Sequence, residues 1–416
     1  MSFKETEIGI IPQSWKLMSL GEVAEVIDPH PSHRAPAAVK TGLPFAGIGD
    51  IDEYGNINSE KARIVSEDVI EEHLKNYKVD NNSIGYGRVG TVGKVVKLKE
   101  RSTLKYALSP TLAVINSNEL IDKKFLYALL RSNLFFNQVK KYMTGSTRPS
   151  IGIKVLRDIK IPYPNINEQQ YIGRIVSSLD EKIEVNNQIN KTLENMAQAI
   201  FKQWFVDFEF PNEDGEPYKS SGGEMIESEL GMIPKGWEVV KLNSVVDICY
   251  GKNLPTKNLL SDGYPVFGGN GQIGFYSEYL YEKSQVLIAC RGAASGKVII
   301  SLPYSFVTNN SLVLEQNGTS VTHEYLKQFC LENEFYNYAT GSAQPQITIA
   351  NLANANILIP QRDLMNMFSL IRNSIDHEVL SLFNENNKLV AIRDALLPKL
   401  MSGEIRVSLD AEDDAS

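Results

Sequence analysis

No apolar run in this chain approaches the roughly 18 residues that a membrane-spanning helix needs. The start, Met1-Ser2-Phe3-Lys4-Glu5, leads into no apolar stretch of a secretory signal. Cysteine is scarce: Cys249, Cys290 and Cys330 are far apart, odd in number and in no Cys-x-x-Cys spacing. That argues against a disulfide framework or a zinc site, and the expected setting is a reducing cytoplasm. The five histidines are equally scattered. His30 and His33 share a Pro-rich loop but have no sequence neighbour to complete a metal site.

Catalytic signatures are missing too. Gly93-Lys94 and Gly296-Lys297 suggest a phosphate loop, but Gly-x4-Gly-Lys-Ser/Thr fails at Arg88, Arg291, Val95 and Val298. There is no dinucleotide fingerprint, nucleophile elbow, His-Glu-x-x-His, or Asn-Pro-Pro-aromatic motif for holding a flipped base. With 43% apolar and 22% charged residues over 416 positions, the chain reads as two to three ordinary globular domains. It reads as a non-catalytic, two-headed binding protein.

The net charge of −8 hides an uneven distribution. Between residues 85 and 160 stand fifteen Lys/Arg against four acids, a local charge of +11. Between 206 and 230 stand eight acids against one lysine, a local charge of −7. Two readings of the basic block stand at this point: a phosphate-binding surface and a solvated lysine face.

The sequence is duplicated. Gly9-Ile10-Ile11-Pro12-Gln13-Ser14-Trp15 returns as Gly231-Met232-Ile233-Pro234-Lys235-Gly236-Trp237. Arg88-Val89-Gly90-Thr91-Val92-Gly93-Lys94 matches Arg291-Gly292-Ala293-Ala294-Ser295-Gly296-Lys297. Gly145-Ser146-Thr147-Arg148-Pro149-Ser150-Ile151 matches Gly341-Ser342-Ala343-Gln344-Pro345-Gln346-Ile347. The offset drifts from 222 to 198, so the second copy is the shorter. Each copy begins with short strands and tight turns, including hairpins at 87–98 and 284–301. Short helices are expected near 122–142 and 322–338, with Asp122 and Thr322 as N-caps.

Each copy then ends in a long helix. Ile172, Val176, Leu179, Ile183, Asn186, Asn190, Leu193, Ala197, Ile200 and Trp204 follow a heptad seam, as do Leu364, Phe368, Ile371, Ile375, Val379, Leu382, Asn386, Leu389, Ile392 and Leu396. An Asn in such a seam costs stability but specifies register and partner. The fold class expected is α+β: two mixed α/β domains, related by a pseudo-two-fold repeat, joined by two long antiparallel helices as a coiled coil. The other reading is two amphipathic helices packed on separate cores.

Two repeated elements suit DNA. Arg88 and Lys94, and Arg291 and Lys297, flank Gly-rich turns that would let the backbone approach phosphate. Incidental charges on a hairpin explain them equally. In the Gly-Ser frame, Arg148 is exchanged for Gln344, with Gln346 following. Arg favours guanine and Gln adenine in the major groove, so two heads of different specificity would look like this. A turn with variable surface residues is the plainer alternative.

Further motifs are Glu168-Gln169-Gln170, Leu179-Asp180-Glu181-Lys182-Ile183, Ala199-Ile200-Phe201-Lys202-Gln203-Trp204-Phe205-Val206-Asp207-Phe208, and Leu396-Leu397-Pro398-Lys399-Leu400-Met401-Ser402-Gly403-Glu404-Ile405. With the repeated Gly-x-Ile-Pro-x-x-Trp, these make the chain resemble the specificity subunit of type I restriction–modification systems over almost its whole length. One departure is Gln361-Arg362-Asp363 where the first helix opens on Glu-Gln.

The resemblance implies target recognition domains at 1–164 and 230–362. It implies long helices at 165–207 and 363–404, an acidic linker at 208–229 and an acidic tail at 405–416. Each domain would read one half of a bipartite asymmetric duplex-DNA target. The helices would set the gap and dock two methyltransferase subunits, which restriction subunits join. No cofactor is expected on this chain; S-adenosylmethionine, ATP and Mg²⁺ belong to the partners. No membrane partner is expected. The competing reading is a coiled-coil scaffold with two protein-binding ends, which the basic block disfavours.

Overall fold

The computed structural model describes residues 2–406 apart from 31, 33, 34, 53, 101–104, 317, 319, 342 and 343. The tail at 407–416 and His33 therefore lie outside the described residues. The chain forms two compact units, Met1–Asn187 with Phe383–Ser416, and Gln188–Leu382.

Both units are built to one plan. In the first, the hairpin Phe3–Thr6/Gly9–Pro12 precedes Lys16–Ser19, which pairs with Lys160–Tyr163. A four-stranded antiparallel sheet follows the order Ala24–Ile27, Leu112–Ser117, Ile84–Gly87, Val95–Lys97. A smaller sheet sets Leu43–Ala46 between Arg63–Val65 and the parallel strand Ala107–Leu108. The second unit repeats all four pieces, with Val246–Tyr250, Ser311–Gln316, Val286–Ala289 and Val298–Ile300 as its main sheet. The inner strand Val286–Ala289 is apolar and buried at every position, and residues 112–115 and 312–314 are the same, so these sequences run rather than alternate. The first unit adds the helix Glu67–Asn76, and its small sheet closes on the distant Arg63–Val65 instead of a direct hairpin. Those insertions account for the larger part of the drift in the repeat, from 222 at Gly9 to 203 at Lys94.

Asp122 accepts from Phe125 N and Thr322 from Tyr325 N, so both expected N-caps are made. The helix expected over 122–142 is instead two, Lys123–Leu130 and Asn133–Tyr142. Ser132 breaks it by accepting from Phe135 N as a new cap.

The long helices run Ile166–Phe201 and Arg362–Ser402, each giving one part to each unit. In the first unit Asn186 Nδ2 donates to Asn386 Oδ1 at 2.9 Å and to Glu385 at 2.7 Å, while Asn386 Nδ2 donates to Asn187. Asp180 meets Arg393 in the same unit, and in the second Glu194 meets Arg372 and Phe201 meets Phe368. Partner numbers fall as their mates rise, so the helix segments are antiparallel within each unit. Ile172, Ile183, Asn186, Ile375, Leu382 and Asn386 are buried and Leu179, Leu193, Ile371 and Leu389 half-buried, but Ile392, expected in the seam, faces water at 47% exposure.

The motifs from opposite ends of the chain pack together. Trp15 is 1% exposed and shares a core with Leu397, Leu400 and Met401. Gly403, at φ +70°, ends the second helix against Pro12 and Trp15, where a Cβ would strike the proline ring. Trp15 Nε1 donates to Glu168 at 2.9 Å, and Arg406 pairs with the same carboxylate. Gln169 accepts from Asp122 N. The Glu-Gln opening is thus consumed inside its own unit. Trp237 instead packs on Phe205, Phe208 and Phe210, delivered by the π-helical turn Lys202–Val206. Its Nε1 has no hydrogen-bond partner among the described residues, as the missing Glu-Gln of the second helix would leave it.

Residues 208–229 are folded rather than a free linker. Phe210 stacks between Tyr218 and Trp237, Ser220 N donates to Glu209, and Met225–Ser228 is a strand. Their acids face water while three aromatic rings hold the segment.

The seam also carries buried charge. Asp180 is 7% exposed, bound by Arg131 and by Arg393 at 2.9 Å. In the second unit Arg372, with no exposed surface, grips Glu194 through both terminal nitrogens and Asp376 at 2.7 Å. Lys327 reaches Asp376 at 2.6 Å. Burial, and then Arg372, push the Lys327 ammonium below its ordinary pKa, while Asp376 opposes them.

Removing Asp180 takes the carboxylate from the largely buried Arg131 and leaves Arg393 with the exposed Asp394 alone. Asp180→Ala should cost about 3–5 kcal/mol. Glu181→Ala, which loses an exposed pair with Lys124, should cost under about 1 kcal/mol. Chemical-denaturation midpoints measure both; equal losses would show that the buried clamp contributes nothing special.

Candidate nucleic-acid interface

The two repeated glycine elements meet in space within each unit, though Gly90 and Gly145 are 55 residues apart and Gly292 and Gly341 are 49. In the first unit Gly87 N donates to Lys94 O and Gly93 N to Gly87 O, closing the turn after Ile84–Gly87. Gly90 (φ +79°) and Gly93 (φ +93°) adopt left-handed conformations there. The loop 144–150 closes through Thr144 and Ser150, whose amides each donate to the other's carbonyl. It docks on the turn: Gly90 N donates to Pro149 O, and Ile151 N to Arg88 O. The second unit makes the same bonds: Thr340 with Gln346, Gly292 N to Pro345 O, and Ile347 N to Cys290 O.

These bonds correct the residue pairing. Arg88 occupies the place of Cys290, and Arg291 that of Val89; one extra residue then brings Gly93 level with Gly296. Side chains alternate in direction along extended backbone, so a one-residue step reverses the face. Arg88 accordingly turns inward, 6% exposed, and its Nη2 donates to Asp28 at 2.6 Å. Arg291 is exposed. The two arginines expected to flank equivalent turns toward phosphate therefore stand differently, Arg88 tied inside and Arg291 outside.

The lysines differ as well. Lys94 Nζ donates to Ile48 O at 2.9 Å and Ile51 O at 2.7 Å, so it ties down a neighbouring loop instead of standing free for phosphate. Lys297 is exposed and donates to Asn270 Oδ1 at 2.7 Å. Arg148, Gln344 and Gln346 are all exposed on the docked loops, and their side chains hold no partner among the described residues. Ser342 and Ala343 lie outside those residues.

Of the basic block, Arg88, Lys94, Arg131 and Arg157 are committed to protein acceptors. Lys140, Lys141, Arg148 and Lys154 remain exposed around the loop 144–150. Lys140 lies 5.3 Å from the Phe136 ring centre, on the ring that packs against Gly93. The sequence counts Lys140, Lys141 and Lys154 in the basic block without setting them beside this loop, because helix phase relative to a distant turn is not a sequence property. The counterpart in the second unit is an open groove of about 880 Å³ between the turn and residues 331–336, with Tyr336 58% exposed on its wall.

A family model described as the type I restriction modification DNA specificity domain matches residues 12–195 and 234–376. The type I restriction enzyme MjaIX specificity subunit of Methanocaldococcus jannaschii is 26% identical, with 97% of this chain and 96% of that one covered. The HindI specificity subunit of Haemophilus influenzae is 24% identical, with 94% and 99% covered. The crystal structure of a type I restriction–modification S subunit from M. genitalium superposes with a TM-score of 0.54 at 18% identity, over 94% and 96% of the two chains.

The lysine geometry sets an expectation. Lys94→Met leaves two loop carbonyls without their donor and should destabilise the chain by about 1–3 kcal/mol. Arg148→Ala should stay within about 0.5 kcal/mol of the parent. Thermal unfolding of both variants decides it, and a neutral Lys94→Met would return that ammonium to solvent-facing work.

Proposed function

This chain belongs to the type I restriction–modification DNA specificity family, and from that premise we propose that it reads a bipartite duplex-DNA target, one half-site per unit. The observation that carries the reading is the junction of turn and loop, made twice with the same backbone bonds but carrying different exposed side chains. Arg148 serves the first half-site, and Gln344, Gln346 and Arg291 the second. Lys140, Lys141 and Lys154 supply phosphate contacts beside the first junction. Phosphate contacts position the protein; base contacts carry the sequence information.

The long helices set the gap between half-sites and dock two methyltransferase subunits, which restriction subunits then join. No helix among the described residues is long and apolar enough to cross a membrane. The work proposed is cytoplasmic, with S-adenosylmethionine, ATP and Mg²⁺ bound by the partner subunits and the chain itself non-catalytic. Docking is assigned to apolar side chains that the helices leave in water. In the second unit these are Leu370, 74% exposed, and Met367; in the first, Phe383 and Ile392.

Two measurements test this. With modification subunits bound, Arg148→Ala should relax base preference by about 1–3 kcal/mol in one half-site and Gln344→Ala in the other. Lys140→Ala should weaken all duplexes alike and lower the salt slope by about one. A uniform loss for Arg148→Ala would move it to the phosphate set. Leu370→Asp should leave the chain folded but short of one modification subunit by light scattering; full assembly at unchanged affinity would remove this face from the docking surface.

A further inference from the structure

The groove of the second unit has a donor–acceptor pattern of its own. Asn270 sits in the turn between Tyr264–Gly268 and Gly271–Tyr276, exposed at the groove rim. An amide side chain ordinarily presents both a donor and an acceptor, which suits adenine. Here the Asn270 oxygen is occupied: Lys297 Nζ donates to it at 2.7 Å, and lies 3.4 Å from the Asn270 main-chain oxygen. The amide is thereby oriented with its NH₂ outward. The ammonium has three donors and keeps at least one unused. The pair therefore sets two donor groups side by side, the Asn270 NH₂ and the Lys297 ammonium, with the ammonium lying against the amide oxygen. Glu334, an acceptor, lines the same groove, and the Tyr336 ring walls it.

Two adjacent acceptors in the major groove, N7 and O6, belong to guanine alone, and its partner cytosine presents the N4 donor beside them. A carboxylate in the groove also disfavours phosphate as the occupant. We infer that Asn270, oriented by Lys297, reads a guanine in the second half-site, with Glu334 accepting from the paired cytosine. Lys94 builds no equivalent pair among the described residues of the first unit, because its ammonium donates to the main-chain oxygens of Ile48 and Ile51. The inference rests on the DNA-reading function proposed above and assigns one base pair within it.

The experiment uses the full chain assembled with its modification subunits, after the target has been read from the modified motif in host DNA. Each guanine of both half-sites is replaced in turn by 7-deazaguanine, which lacks the N7 acceptor but keeps Watson–Crick pairing. One position in the second half-site should lose about tenfold in affinity. Asn270→Asp, which turns the donors into acceptors, should abolish that sensitivity and cut the preference for G·C there about tenfold or more. Glu334→Gln should weaken preference at the same position. Retained discrimination in the first half-site shows that each variant is folded.

A second half-site lacking G·C, or an Asn270→Asp profile matching the parent, overturns the inference. So does a loss spread equally over all duplexes, which would mark a phosphate contact. A parent complex that prefers no base in either half-site would instead sink the DNA-reading function itself.

Discussion

Asp180 is the constraint on which the first unit turns. A carboxylate taken out of water costs several kcal/mol unless its neighbours replace the lost hydration. Two guanidiniums do so, and they come from separate elements: Arg131 ends the short helix Lys123–Leu130, and Arg393 belongs to the C-terminal long helix. The site is satisfied only when all three elements are in place, so recognition domain and helix pair cannot shift independently within the unit. The second unit meets the same demand with Asp376, Arg372, Glu194 and Lys327. The Asn186–Asn386 pair adds a register lock, because slipping by one turn would leave buried amides without partners. Apolar contacts alone would tolerate such a slip far better.

The parts of this fold legible in the sequence are those governed by local spacing. Asp122 and Thr322 stand three residues before Phe125 and Tyr325, the first apolar positions of their helices, and do cap them. The heptad seam was readable for the same reason. Asp180 and Arg372 were not singled out as buried partners, because a pattern of apolar positions assigns charge to the water side. Only the third partner, brought in by tertiary structure, makes their burial tolerable. The segment 208–229 was misread because its eight-acid neighbourhood outweighed Phe210 and Tyr218, whose stacking on Trp237 organises it. Arg88 and Arg291 were paired by aligning motifs without a gap, and only the bonds from Ile151 and Ile347 reveal the inserted residue.

Those same bonds explain how one duplicated framework can carry two readings. The junction is held by main-chain amides and carbonyls, by left-handed glycines, and by prolines that offer their carbonyls to Gly90 and Gly292. None of these contacts passes through the side chains at 148, 344 or 346. Exposed side chains that make no protein contacts can be exchanged at little cost in stability. Recognition chemistry can therefore vary on a fold that stays fixed.

Lys94 and Lys297 show where that freedom stops. Both follow the glycine that closes the turn, and both ammonium groups reach toward the neighbouring small sheet. What each meets there differs. Main-chain carbonyls of Ile48 and Ile51 take two donors of Lys94 and draw it into a half-buried structural tie. The hairpin turn at Asn270 instead offers Lys297 a side-chain oxygen, leaving ammonium and amide both at the surface. The difference lies in the partner loop, not in the lysine or its glycine-rich frame. A positive charge beside a glycine-rich turn is therefore no measure of phosphate contact. Its remaining donors decide whether it holds the protein to itself or to DNA.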